Sequence, residues 1–139
     1  MREHGYAEIR EFDRLLREHK LEHRIRYAAP VLLPIVGHRL DVPYAYRNGL
    51  LNLVLPKRFS AHESTALHTA YDLAVDGDLL SRYPEGGIKR KLVVIAAYEA
   101  PQRNIRQKIH NLLSEFGVRD VSENELPDFV AEIEREAHE

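Results

Sequence analysis

The stretch from His38 to Pro56, HRLDVPYAYRNGLLNLVLP, decides the fold. At its centre stands Asn48-Gly49, the pair that type I′ hairpin turns favour because both central residues need positive φ. A two-residue turn there pairs Tyr46 with Leu51, Tyr44 with Leu53 and Val42 with Leu55. Leu40 continues that apolar face. Arg39, Asp41, Ala45 and Arg47 fall on the other face, with Leu50, Asn52 and Val54 opposite them. The expected unit is an antiparallel hairpin over residues 38–56, with one apolar and one mixed face. On this register Tyr44 and Tyr46 are core residues, not platforms for stacking bases.

Downstream, Ser60 and Glu63 spell the S-x-x-E capping box that opens a helix. Leu67, Ala70, Tyr71 and Ala74 continue it as a buried stripe to about residue 75, where Asp76-Gly77-Asp78 supplies turn chemistry. The run KLVVIAAY (91–98) is apolar without alternation, which predicts a central, parallel strand buried on both faces. Pro101 ends it. Ile105, Ile109, Leu112, Leu113 and Phe116 then share one helical face, and Gly117 suits a C-terminal cap. Val118–Val121 reads as a short strand. Ser122 and Glu125 form a second capping box, Pro127 suits a first helical turn, and Phe129, Val130, Ile133 and Ala137 face inward.

Upstream, residues 6–23 carry Ile9, Phe12, Leu15 and Leu16 at helical spacing, with Arg14–Glu18 as an exposed pair. Residues 24–36 favour strand, and Pro30 and Pro34 place it at an edge or a bulge. The order α-β-β-β-α-β-α-(β)-α predicts one α/β domain over residues 1–139. Its mixed central sheet contains an antiparallel hairpin and is flanked by helices.

The totals bound the function. With 139 residues the chain has the size of one ordinary domain. It has no cysteine, which excludes disulfides, thiolate zinc sites and a cysteine nucleophile. No apolar run approaches the ~20 residues that span a bilayer. The charged N-terminus lacks a secretory core. A cytoplasmic protein without membrane contact is expected. Net charge is −2, from 20 basic and 22 acidic residues, so the whole chain lacks the basic excess of a dedicated nucleic-acid binder.

The order helix, three strands, helix, strand over residues 6–98 resembles the restriction-endonuclease-like superfamily, named for its PD-(D/E)XK motif. The resemblance implies an Asp on the second strand and Glu-x-Lys on the third, the two acids holding a divalent cation that activates water. Asp41 matches the Asp. Asn52 and Val54 occupy the Glu and Lys positions and carry no charge. Lys57 is the nearby lysine, and Glu63 could stand in for the missing acid. An active member would use Asp41, Glu63 and Lys57 with Mg²⁺ on Asp41 and Glu63. The departures point instead to a degenerate, non-catalytic member that needs no cofactor. It would act in protein association or nucleic-acid-linked regulation, as a prokaryotic or phage-related accessory protein. A magnesium-dependent DNA nuclease with a rearranged site is the alternative, and a structural, self-associating dimer domain the third reading.

Other constellations are weaker. His19, Glu22 and His23 spell H-x-x-E-H, which on a helix puts two histidines on one face for zinc, but a solvated helix end explains them. Asp72, Asp76 and Asp78 lack the spacing of a calcium loop. The basic groups Lys57-Arg58, Lys89-Arg90-Lys91 and Arg103, Arg106, Lys108 could follow phosphates if they converge; otherwise they are solubilising charges. Gly86-Gly87 precedes a strand, the wrong order for a nucleotide cradle.

Overall fold

A computed structural model describes residues 7–25, 31–33, 38–40, 42–84, 86–99 and 103–137. In chain order the elements are α1 (Ala7–Glu18), β1 (Val31–Leu33), β2 (His38–Leu40), β3 (Tyr44–Arg47), β4 (Leu51–Phe59), α2 (Glu63–Arg82), β5 (Arg90–Tyr98), α3 (Arg103–Glu115), β6 (Arg119–Ser122), a 3-10 turn (Glu123–Glu125) and α4 (Leu126–Glu136). The unbroken apolar run forms β5, a central strand paired in parallel with β4 on one side and β6 on the other. β3 closes the sheet antiparallel to β4, giving the order β3-β4-β5-β6. Parallel neighbours need crossovers, and α2 and α3 supply them.

Both crossover helices pack on one sheet face, where Ala66, Ala70, Leu73, Ile105 and Ile109 meet Leu53, Leu92 and Val94. α1 and α4 cover the opposite face, where Phe12, Leu16, Phe129 and Ile133 meet Tyr44, Val54, Val93 and Ile95. The α/β class with flanking helices is therefore as expected. No described helix is long and apolar enough to cross a membrane.

The hairpin register differs from expectation by one residue. Tyr44 pairs with Val54, Ala45 with Leu53 and Tyr46 with Asn52. The turn has three residues, 48–50, and only Gly49 adopts positive φ, at 99°. The Asn48 side chain sets this turn: its Oδ1 accepts from the Leu50 N–H (3.3 Å) and from the Asn52 amide (2.8 Å). Helices cover both faces of the sheet, so either register buries apolar side chains and alternation does not select between them. Tyr44 and Tyr46 are nonetheless core residues, 2% exposed. The strand expected over 38–47 is divided into β2 and β3, and β2 pairs with β1 in a separate two-stranded sheet. Asp41 lies outside the described residues.

α2 also departs from its sequence pattern. It starts one residue after His62 and runs 20 residues, through Asp76-Gly77-Asp78, to Arg82. Ser60 does not cap it; its Oγ accepts from the His62 N–H at 3.1 Å. Gly77 is buried against β5 and Val118, where a Cβ would sit 2.3 Å from Val118 Cγ2. The glycine serves close packing, not helix termination. Tyr71, expected in the buried stripe, is 52% exposed and meets Phe116 edge-on at 6.3 Å.

α1 stops at Glu18, before the H-x-x-E-H residues, so no helix presents the two histidines on one face. His19 Nδ1 lies 2.9 Å from Glu134 Oε1 and ties the end of α1 to α4. At the other end of α4 the second capping box is present, with the Ser122 N–H donating to Glu125 Oε1 at 2.8 Å, and Pro127 stands in the first turn.

Arg119 clasps Glu132 through two hydrogen bonds of 2.5 and 2.9 Å, joining β6 to α4. The Arg119 hydrogen bond holds the Glu132 carboxyl below the ordinary carboxylate range, against a partial desolvation that opposes it. A carboxyl depressed in the fold stabilises above its unfolded pKa, and that contribution is lost as pH falls through the folded value. Because Arg119 is about a third exposed, its worth is below roughly 1 kcal/mol. Glu132→Gln should therefore lower stability slightly at pH 7 and give a flatter decline on acidification below about pH 4.5, where unfolded glutamates protonate. Urea melts across that range test this, and parallel declines in both proteins would contradict it.

Candidate functional site

The parallel strands β4, β5 and β6 end near one another, at Phe59, Tyr98 and Ser122. Register fixes which side chains gather there. Ala96 pairs with Ser122 and Val94 with Asp120, so Asp120 and Ser122 lie on the same face as Tyr98, the face beneath α3. Helical spacing adds Arg103, Arg106 and His110 from one side of α3. These six side chains line a cleft of about 450 Å³.

The cleft is cationic with an acidic inner wall. The Arg106 guanidinium lies over the Tyr98 ring at 5.0 Å, and that ring stacks on Phe59 at 5.5 Å. His110 Nδ1 lies 2.8 Å from Asp120 Oδ1. That pairing orients the ring and leaves Nε2 for a ligand. The Asp120 side chain is only 14% exposed, whereas His110 is open to solvent. Burial, with the Asp120 charge added, pushes the Tyr98 hydroxyl up to about 12 against the opposing pull of Arg106. Tyr98 therefore stays protonated at neutral pH and acts as a hydrogen-bond donor, not as an anion.

The outer side of α3 continues the same chemistry. Its exposed positions from 103 to 111 are Arg103, Asn104, Arg106, Gln107, Lys108, His110 and Asn111, with no acid among them. Arg103, Asn104, Lys108 and Asn111 border an open groove next to the cleft. The first acid of the helix is Glu115, in its last turn. This is the reverse of what the helix dipole favours, each misplaced charge costing roughly 0.3–1 kcal/mol. The cations are therefore not placed for helix stability.

Two residues of the nuclease-type set, Glu63 and Lys57, are described. Glu63 opens α2, and its carboxylate is engaged by Lys108 Nζ at 2.6 Å. Lys57 is exposed on β4, and its pairing with Ala96 places it on the α2–α3 face. Asn52 and Val54 are buried on the opposite face. Asp41 is outside the described residues, and among those described no three His, Asp or Glu side chains gather to hold a metal. Asp72 and Asp78 are engaged on α2 itself, Asp78 with Arg82 at 2.9 Å and Asp72 with His68 at 3.6 Å.

The basic groups split three ways. Lys57-Arg58 stand at the carboxyl end of β4. Lys89-Arg90-Lys91 stand at the start of β5, beside Leu51 and Asn52, six residues or about 20 Å away along the sheet. Arg90 is buried and donates to the Tyr83 carbonyl at 2.6 Å, a structural role. Arg103 and Arg106 line the cleft, and Arg103 and Lys108 border the groove beside it. Sequence reasoning found that cluster but missed Tyr98, His110 and Asp120. His110, four residues past Arg106 and seven past Arg103, was the signal that could have found the cleft's helical side. No family model, curated protein or solved structure matches the chain.

Proposed function

We propose that this chain is a non-catalytic binding domain of nucleic-acid-linked regulation, which holds the phosphate backbone of a single strand along α3 and the adjoining cleft. The observation that carries this reading is the acid-free exposed face of α3, with Arg103 and Arg106 at the helix end where the dipole disfavours them. A phosphate backbone offers the counter-charge that the helix itself does not. Buried Asn52 and Val54, uncharged where the nuclease-like resemblance expects Glu and Lys, support loss of that chemistry. The absence of cysteine supports a cytoplasmic setting.

Fluorescence anisotropy with a labelled 20-nucleotide single strand tests the reading. Neutralising three phosphates predicts that log K falls with log salt at a slope of about −2. Arg103→Glu with Arg106→Glu should abolish binding at 50 mM NaCl, while Lys89→Glu, at the far end of the sheet, should leave it unchanged. Absence of binding by the wild type would defeat the proposal. So would Mg²⁺- or Mn²⁺-dependent plasmid nicking that Asp41→Ala removes, which would instead support the nuclease.

A further inference from the structure

The cleft between α3 and β6 gathers Arg103, Arg106, His110 and Tyr98 around one small volume, and from this we infer that it takes the terminal phosphomonoester of a nucleic-acid strand. The inference rests on the nucleic-acid reading above and names which part of the strand enters. Asp120 lines the same cleft on the β6 side. A second phosphate placed against that carboxylate is repelled, and a strand end brings only one.

Charge favours the end as well. A terminal phosphate carries nearly two negative charges at neutral pH, against one for each internal diester. Arg103 and Arg106 face it from the first turns of α3, and neither has a carboxylate partner among the described residues. His110 offers Nε2 from the next turn, its ring held by Asp120 at 2.8 Å. Tyr98, protonated at neutral pH, adds a hydroxyl donor on the strand side. Each guanidinium can pair with phosphate through two parallel hydrogen bonds, and the three free oxygens of a terminal group offer acceptors to both arginines at once. The volume, about 450 Å³, is that of a small-ligand pocket and too small for a duplex.

The test uses 10-nucleotide single strands labelled at one end and carrying phosphate or hydroxyl at the other, titrated at 150 mM NaCl. The phosphorylated strand should bind at least tenfold more tightly. Arg106→Gln should erase that preference and Arg103→Gln reduce it, while Lys57→Gln retains it; thermal melts establish that each variant is folded. Equal affinity for the two strands would overturn the inference and leave the backbone reading standing. No salt-dependent binding of either strand would overturn both. Competition by a free mononucleotide as effective as that by the phosphorylated strand would reassign the cleft to a nucleotide and overturn the strand-end assignment.

Discussion

Phe129→Ala is expected to remove about 3–5 kcal/mol of folding free energy. Phe129 is 1% exposed at the meeting of α1, α4, β3 and β6. Its ring stacks on Phe12 at 5.9 Å and meets Tyr46 edge-on at 6.1 Å. The Arg119 guanidinium lies over it at 5.1 Å. Truncation forfeits the transfer of a phenyl ring from water and leaves a cavity that its two aromatic neighbours are too stiff to fill. Tyr44 cannot swing in, because its hydroxyl donates to Asp13 at 2.7 Å and its ring packs edge-on against Phe12 at 4.8 Å. The loss is a large part of the 5–15 kcal/mol that ordinary domains possess. Urea unfolding measures it. Tyr83→Ala, at a site 43% exposed, should stay within about 0.5 kcal/mol. A Phe129→Ala loss below about 1 kcal/mol would mean that α4 does not seat on the sheet as described.

The second large effect is expected at Gly77, where two principles oppose each other. Helix propensity alone says that alanine at this interior position should stabilise by about 1 kcal/mol. Packing says the reverse, because the new Cβ would lie 2.3 Å from Val118 Cγ2 and 3.4 Å from Leu92 Cβ. Val118 is buried and β-branched, with little rotamer freedom to retreat. Overpacking of this kind costs about 1–3 kcal/mol and occasionally more. Packing should win, leaving Gly77→Ala destabilised by about 1–3 kcal/mol. The cycle with Val118→Ala separates the two causes. The Cβ fits once the valine methyls are gone, so a coupling of roughly 1–2 kcal/mol in favour of the double variant is expected. A stabilising Gly77→Ala would show that α2 does not approach Val118 this closely.

How much of the candidate site was legible follows the same division. Arg103, Arg106 and His110 recur at i, i+3 and i+7 on α3, so helical periodicity alone predicts their shared side, with Lys108 on the other flank of the exposed face. His110 and Asp120 are ten residues apart, and nothing local says that they touch. Their contact exists because β6 returns in parallel beside β5 after α3, which puts Asp120 beneath the second turn of that helix. Glu63 meets Lys108 on α3 at 2.6 Å, a contact across 45 residues that no local pattern announces.

The amino-acid sequence by itself determined the α/β class, the central strand Arg90–Tyr98, the helix after it, and the 122–125 cap with Pro127. Each of these depends on local apolarity, periodicity or backbone hydrogen bonding within a few residues. Only the tertiary structure decided the hairpin register, the passage of α2 through Gly77 and the assembly of the cleft. Helices on both faces removed the polar side that would have fixed the register, a methyl of Val118 explained the glycine, and parallel crossovers brought distant residues to one end of the sheet.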